Sequence, residues 1–185
     1  MKRFILTGAP GAGKTAILRA LERQGLPVVE EAATDTHALD QACGIPEPWA
    51  SPKFVDDIVT LQRAREEGAR GLGRPVLIFD RSPICTLALA RHLGFSPSQA
   101  LQMELSRIER EGVYERRVFF IESLGFMVNT EVRRIGLAEA MRFGELHEVA
   151  YREWGYELVH IAPGPVEQRA AAVLDSIAAS AGRNA

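Results

Sequence analysis

Lysine is scarce here: Lys2, Lys14 and Lys53 are the only three in 185 residues, and every later basic residue other than histidine is arginine. Motifs that need a lysine beyond residue 53 are therefore excluded. Cysteine is scarcer still. Cys43 and Cys85 form no CxxC pair, which excludes a zinc ribbon or a dithiol redox centre, and both read as reduced, half-buried thiols. The histidines His37, His92, His147 and His160 have no metal-ligand spacing. A net charge of −2 provides no broad basic face for nucleic acid. No apolar run approaches the roughly 18 residues that a membrane-spanning helix needs. The Met1–Leu6 stretch is short and runs straight into glycines, so a first strand rather than a signal peptide is expected, and with it a cytoplasmic location. Oligomeric state has no signature in the sequence.

What is present suits one sizeable core. Hydrophobic residues make up 46% and charged residues 25%, too apolar for disorder, so residues 1–185 read as a single domain. Apolar runs at Lys2–Thr7, Pro27–Glu30, Val76–Phe79, Arg117–Ile121 and Glu157–Ile161 read as strands. Between them lie helical patterns. Lys14–Gln24 turns Ile17, Leu18 and Leu21 inward and stops at Gly25. Lys53–Glu67 aligns Phe54, Ile58 and Leu61, and Ser82-Pro83 caps a helix to His92. Further helices run from Ser96-Pro97 to Arg110, from Gly136 to Trp154, and from Pro165 to about Ala179. Glu31–Gly44 carries no clear period, Ile45–Pro52 with its three prolines reads as loop, and residues 122–136 read as a lid-like segment. Strands alternating with helices imply an α/β fold of three layers, a five-stranded parallel sheet covered on both faces.

Gly8-Ala9-Pro10-Gly11-Ala12-Gly13-Lys14-Thr15 matches GxxxxGK[ST], the phosphate-binding P-loop, between a predicted strand and a predicted helix. Each part of the motif has a physical role. Glycines let successive backbone N–H groups curl around phosphate oxygens, and the helix N-terminus, through Ala16, adds positive potential. Lys14, expected to be exposed in the empty loop, neutralises the β- and γ-phosphates, and the Thr15 hydroxyl ligates Mg²⁺. Asp80 ends the third apolar strand, where P-loop proteins place a carboxylate on Mg²⁺. ATP and Mg²⁺ are thus the expected ligands.

The lack of lysine after residue 53 excludes the Asn-Lys-x-Asp guanine-reading segment of signalling GTPases, and no LSGGQ-like transporter signature is present. What remains, in order, is Gly8–Thr15, Asp80-Arg81-Ser82 after the third strand, and Arg133 and Arg134 before a long helix. This order resembles the nucleoside and nucleotide kinase branch of P-loop proteins. The Asp-Arg-Ser triplet is similar to the acidic-Arg-Ser motif of deoxynucleoside kinases, which carry glutamate where Asp80 stands, and to the Asp-Arg pair of thymidylate kinases. Four segments look like those of small AAA-type ATP-binding proteins related to the ribosylnicotinamide-kinase domain. They are Glu30-Glu31-Ala32-Ala33, Asp80-Arg81-Ser82-Pro83, Val132-Arg133, and Tyr151 with Gly155–Val159. The resemblance spans most of the chain and implies a 2-3-1-4-5 strand order. The activity it implies is ATP- and Mg²⁺-dependent transfer of the γ-phosphoryl group to a nucleoside, nucleotide or similar small acceptor. The alternative is an ATP- or GTP-binding regulatory module with little turnover. A hydrolase acting on its own nucleotide would need a water-positioning residue that the sequence does not display.

Transfer to a hydroxyl asks for a carboxylate near the acceptor and cations near the moving phosphoryl group. Glu30 and Glu31 stand at the end of the second strand, where open α/β sheets bind ligands, and strand alternation lets one of them point inward. Arg81 follows the metal carboxylate. Arg133 and Arg134 are placed to close over the phosphates, with Arg142 a third cation in the next helix. Gln62, Arg65 and Trp49 flank the expected acceptor pocket. His147 falls on one helical stripe with Leu137, Ala140, Gly144, Tyr151 and Trp154 and reads as a packed histidine.

Overall fold

The structure, a computed structural model, describes residues 1–124 and 136–181. Five strands form one parallel sheet: β1 (Lys2–Thr7), β2 (Val28–Val29), β3 (Val76–Asp80), β4 (Arg117–Ile121) and β5 (Glu157–Ile161). Their spatial order is β2-β3-β1-β4-β5, the order the resemblance implies. Strand alternation sorts the core into two faces. Phe4, Leu6, Ile78 and Phe119 point to one side, where they meet α1 (Lys14–Arg23) and α7 (Val166–Ala181). Ile5, Leu77, Phe79 and Val118 point to the other. There they are covered by α3 (Pro52–Ala69), α4 (Pro83–His92), α5 (Gln99–Arg110) and α6 (Leu137–Glu153). No helix among the described residues is long and apolar enough to cross a membrane.

Three readings are corrected. The segment without a clear period forms a helix, α2 (Ala32–Ala42). Its only buried residues are Ala32 and Thr36, too few to leave a strong pattern, and it rests on α3 at the edge of the fold. The second strand is two residues long, because only Val28 and Val29 pair with β3. The cysteines are not alike: Cys43 is exposed, whereas Cys85 is buried under the sheet. Of the lid-like segment, residues 125–135, including Arg133 and Arg134, lie outside the described residues.

Parallel pairing brings the carboxyl ends of β1, β3 and β2 to one edge. Leu6 lies opposite Asp80 and Val29 opposite Phe79, so Gly8, Glu30 and Arg81 leave the sheet side by side. On the other flank of β1 lies β4, and the crevice where the strand order reverses is where open α/β sheets place their ligands.

Candidate nucleotide and acceptor site

The loop from Gly8 to Gly13 leaves β1 and enters α1 at Lys14. Gly8 (φ 132°) lies against the end of β4, where a Cβ would come 2.4 Å from the Ile121 carbonyl oxygen; no other residue fits. Gly13 caps α1 with φ 89°. The first N–H groups of α1 have no intrahelical acceptor and face the loop's mouth. Thr15 and Ala16 are exposed in this first turn.

Lys14 departs from its expected place. It is 7% exposed, and its ammonium donates to the Gly8 (3.1 Å) and Ala9 (2.9 Å) carbonyl oxygens. A long cation without an anion folds back onto the nearest dipoles rather than standing in solvent. Burial, helped by Arg81 and opposed by Asp80 and Glu31, lowers its pKa to about 7.

Asp80 is 8% exposed, and its Oδ1 has no hydrogen-bond partner among the described residues. Burial and the neighbouring Glu31 charge push its pKa up to about 6, against the pull of Lys14 and Arg81. Asp80 and Thr15 line one cavity of about 180 Å³ with Glu30, Glu31 and Thr34. A buried carboxylate oxygen without a donor, beside a free hydroxyl, fits a hard cation such as Mg²⁺. Among the described residues no group of three or more His, Cys, Asp or Glu could hold a metal by itself. Phosphate oxygens and water would supply the remaining ligands.

Arg81 is the one non-glycine residue described with positive φ (70°), held by its N–H on the Leu6 carbonyl at 2.9 Å. That backbone costs about 1 kcal/mol or more for a side chain with a Cβ. It turns the guanidinium inward between two groups. Nε lies 2.5 Å from Glu31 Oε1, an ion pair without hydrogen-bond alignment. Nη1 donates to His147 Nε2 at 2.7 Å. Arginine can only donate, so the His147 proton sits on Nδ1, which donates to the Phe143 carbonyl at 2.7 Å. His147 is fully buried. Burial, then Arg81, keeps its pKa well below the ordinary value, so it is a neutral acceptor.

The two glutamates separate. Glu31 faces inward. Burial raises its carboxyl, but Arg81, Lys14 and the Thr34 hydroxyl at 2.9 Å outweigh that and hold it below the usual range. Glu30 points out to Arg19. Arg65 does not enter the pocket; it pairs with Asp35 and donates to the Glu30 (3.0 Å) and Glu31 (2.7 Å) carbonyls, fixing the end of β2. Trp49 stacks on His37 and packs with Ala32, Phe54 and Ile58, and it lines neither cavity. Arg142 is exposed on an open groove beside Arg91 and His92.

A second cavity of about 170 Å³ meets the first at Glu31 and is lined by Gln62, Arg81, Cys85, Thr86 and Phe143 among others. Gln62 Oε1 accepts from Thr86 at 2.8 Å. Beneath it the Tyr151 hydroxyl contacts Ser82 Oγ (2.8 Å) and Cys85 Sγ (3.1 Å). His147, Tyr151 and Thr86 escape sequence reasoning as site residues. The stripe that carries His147 and Tyr151 signals only a packed face, and what that face packs against is tertiary.

The AAA domain family matches residues 3–169. No curated protein matches the chain. Among solved structures, deoxyadenosine kinase from M. mycoides aligns at 15% identity and a TM-score of 0.62, with 96% of this chain and 99% of that one covered. NadR protein in complex with NR aligns at 18% and 0.69, covering 95% of this chain and 50% of NadR, half its length. Shikimate kinase from Acinetobacter baumannii aligns at 14% and 0.56, covering 97% and 94%. At these identities the likeness is one of fold, a P-loop kinase-like fold.

Proposed function

The chain belongs to the AAA domain family, and from that premise we propose that it is a small-molecule kinase. It moves the γ-phosphoryl group of ATP to a hydroxyl of a small, uncharged acceptor. The observation that carries this reading is Glu31, a carboxylate aimed at the junction of the two cavities beside Lys14 and Arg81. A regulatory nucleotide binder has no use for a proton acceptor there.

In this mechanism the triphosphate lies on the N–H groups of Gly11–Ala16, and Lys14 leaves the Gly8 and Ala9 carbonyls for the β- and γ-oxygens. Thr15 and Asp80 would hold Mg²⁺, which would neutralise phosphate charge there. The acceptor occupies the second cavity, with its hydroxyl on Glu31 Oε1 or Oε2. Glu31 takes the hydroxyl proton as the oxygen bonds to the γ-phosphorus and the bond to the β-phosphate oxygen breaks. Arg81, pinned by His147, holds the Glu31 carboxylate in place beside the transferred group. Arg133 and Arg134 are assigned to the charge on the equatorial oxygens from residues 122–136, and residues 1–185 to one domain. The acceptor's charge follows from the lining. Arg81 is the only cation that lines the second cavity among the described residues, and Glu31 already neutralises it. A phosphate or carboxylate there would face Glu31 without a counter-ion.

The test is incubation with ATP, Mg²⁺ and a panel of nucleosides, nucleotides and small metabolites, with products read by mass spectrometry. An uncharged hydroxyl compound should gain one phosphoryl group. Glu31→Gln should slow transfer by about 10²–10⁴ while ATP affinity holds. Lys14→Met should lose ATP binding itself. If no compound is phosphorylated while ATP still binds, the regulatory reading replaces this one.

A further inference from the structure

Arg169 lies 155 positions after Lys14, in the second turn of α7, and no motif reaches it. It is 3% exposed. Its Nη1 donates to the carbonyl oxygen of Ala12, inside the phosphate loop, at 2.8 Å. Its Nη2 donates to the carbonyl oxygen of Glu122, just past the end of β4, at 2.7 Å. Its Nε is buried with no partner among the described residues. Burial lowers its pKa.

This is a costly group for a structural strap. The docking of α7 is already provided by Ala170 and Val173, both fully buried against the α1 face of the sheet. An unpaired guanidinium N–H in the interior costs free energy that a leucine at the same place would not. The charge has another use, and we infer that Arg169 is a positioning residue that aims the phosphate loop at its ligand.

A trans peptide is planar, and its C=O and N–H point in opposite directions. Arg169 pulls the Ala12 carbonyl away from the loop's mouth, so the N–H of the same peptide, that of Gly13, is turned toward it. That is the side on which a phosphate sits. Gly13 itself is shaped by this contact: its φ is 89°, and a Cβ would come 3.2 Å from Arg169 Nη1. The second hydrogen bond, to Glu122, references the loop to β4, against which Gly8 also rests. The guanidinium thus stands behind the loop, adds to the positive potential that the helix N-terminus supplies, and never touches the ligand.

The inference rests on the nucleotide-binding part of the proposed function, so the test is direct binding and not turnover. Mg·ATP and adenosine are titrated calorimetrically into wild type, Arg169→Lys and Arg169→Met, with thermal melts on all three. The Met variant should lose about 10- to 100-fold in ATP affinity, the range expected for a hydrogen bond to a charged group. Lysine keeps the charge but cannot fork to two carbonyls, so its loss should be intermediate, at an unchanged Tm. Adenosine, which carries no phosphate, should bind all three alike. If the Met variant does not fold, the lysine variant and the amide resonance of Gly13, which should shift in it, decide the matter. Equal ATP affinity in wild type and Arg169→Lys, with an unmoved Gly13 resonance, overturns the inference alone. Wild type that binds no ATP overturns it together with the nucleotide-binding reading.

Discussion

The molecule buries charge at both ends of its sheet, and the two burials differ in kind. At the amino ends Glu66, fully buried, receives Arg70 on both oxygens (3.0 Å each), Arg107 at 3.1 Å and Arg3 at 3.4 Å. Arg107 also pairs with Glu104 at 2.6 Å and Glu111 at 3.1 Å. Each carboxylate there has partners, and Arg3 Nε is the one orphan. At the carboxyl ends the network is open. Among the described residues Asp80 Oδ1 has no donor, Lys14 makes do with loop carbonyls, and Arg81 holds a strained backbone. A closed network of charges ties α3, α5 and β1 together. The incomplete one suits the proposed function, in which charges arrive with a ligand.

Breaking the closed network should cost most. Glu66→Ala strands Arg70, Arg107 and Arg3, and should destabilise the protein by about 3–5 kcal/mol. In a chain of this size that is a fall in Tm of roughly 10 °C. ATP affinity measured below the new Tm should be unchanged; a loss of affinity equal to that of a site variant would erase the distinction between the two ends.

The open end should respond with the opposite sign. Burial and Glu31 make the Asp80 charge a net liability in the unliganded protein. Asp80→Asn should therefore raise stability at pH 7 by about 1–3 kcal/mol in urea titrations, while raising the Mg²⁺ concentration needed for ATP binding. A destabilised Asp80→Asn would mean that Asp80 belongs to a closed network like that of Glu66.

The smallest effect sharpens the comparison through pH. His147 is faced by Arg81, then by Lys14 and His92, and its pKa is depressed in the folded state. The unfolded chain therefore takes up a proton that the folded one refuses. The sign is fixed: no contribution above the unfolded value near pH 6.5, and a progressive loss of stability as pH falls below it, at up to about 1.4 kcal/mol per pH unit. His147→Gln should keep an acceptor near Arg81 and remove this component, giving a shallower acid limb between about pH 6.5 and 5 in the same titrations. An unchanged limb would show that the ring is protonated in the folded protein and does not accept from Arg81.

Much of this was legible without coordinates, for reasons of locality. The phosphate loop is one contiguous stretch whose glycines, lysine and threonine each answer to a short-range demand, so Gly8–Thr15 could be read at once. The strands β1, β3, β4 and β5 are apolar runs with turn signals beside them, and their alternation with helices restricts the topology. Even Asp80 follows from its place after Val76–Phe79. Other features depend on what lies across the fold. Sequence left Glu30 and Glu31 equivalent; Arg65 from α3 fixes the backbone between them, and Arg81 draws Glu31 inward while Arg19 draws Glu30 out. Lys14 reads as exposed from the motif alone, whereas it folds back on the carbonyls of its own loop, beside Arg81 from the end of β3. His147 and Arg169 gain meaning only when α6 and α7 lay them beside Arg81 and Ala12, 66 and 157 residues away in sequence. Periodicity tells which face of a helix is buried. Which groups meet there is decided by packing, because a hydrogen bond across the fold leaves no trace in either partner's neighbourhood in the chain.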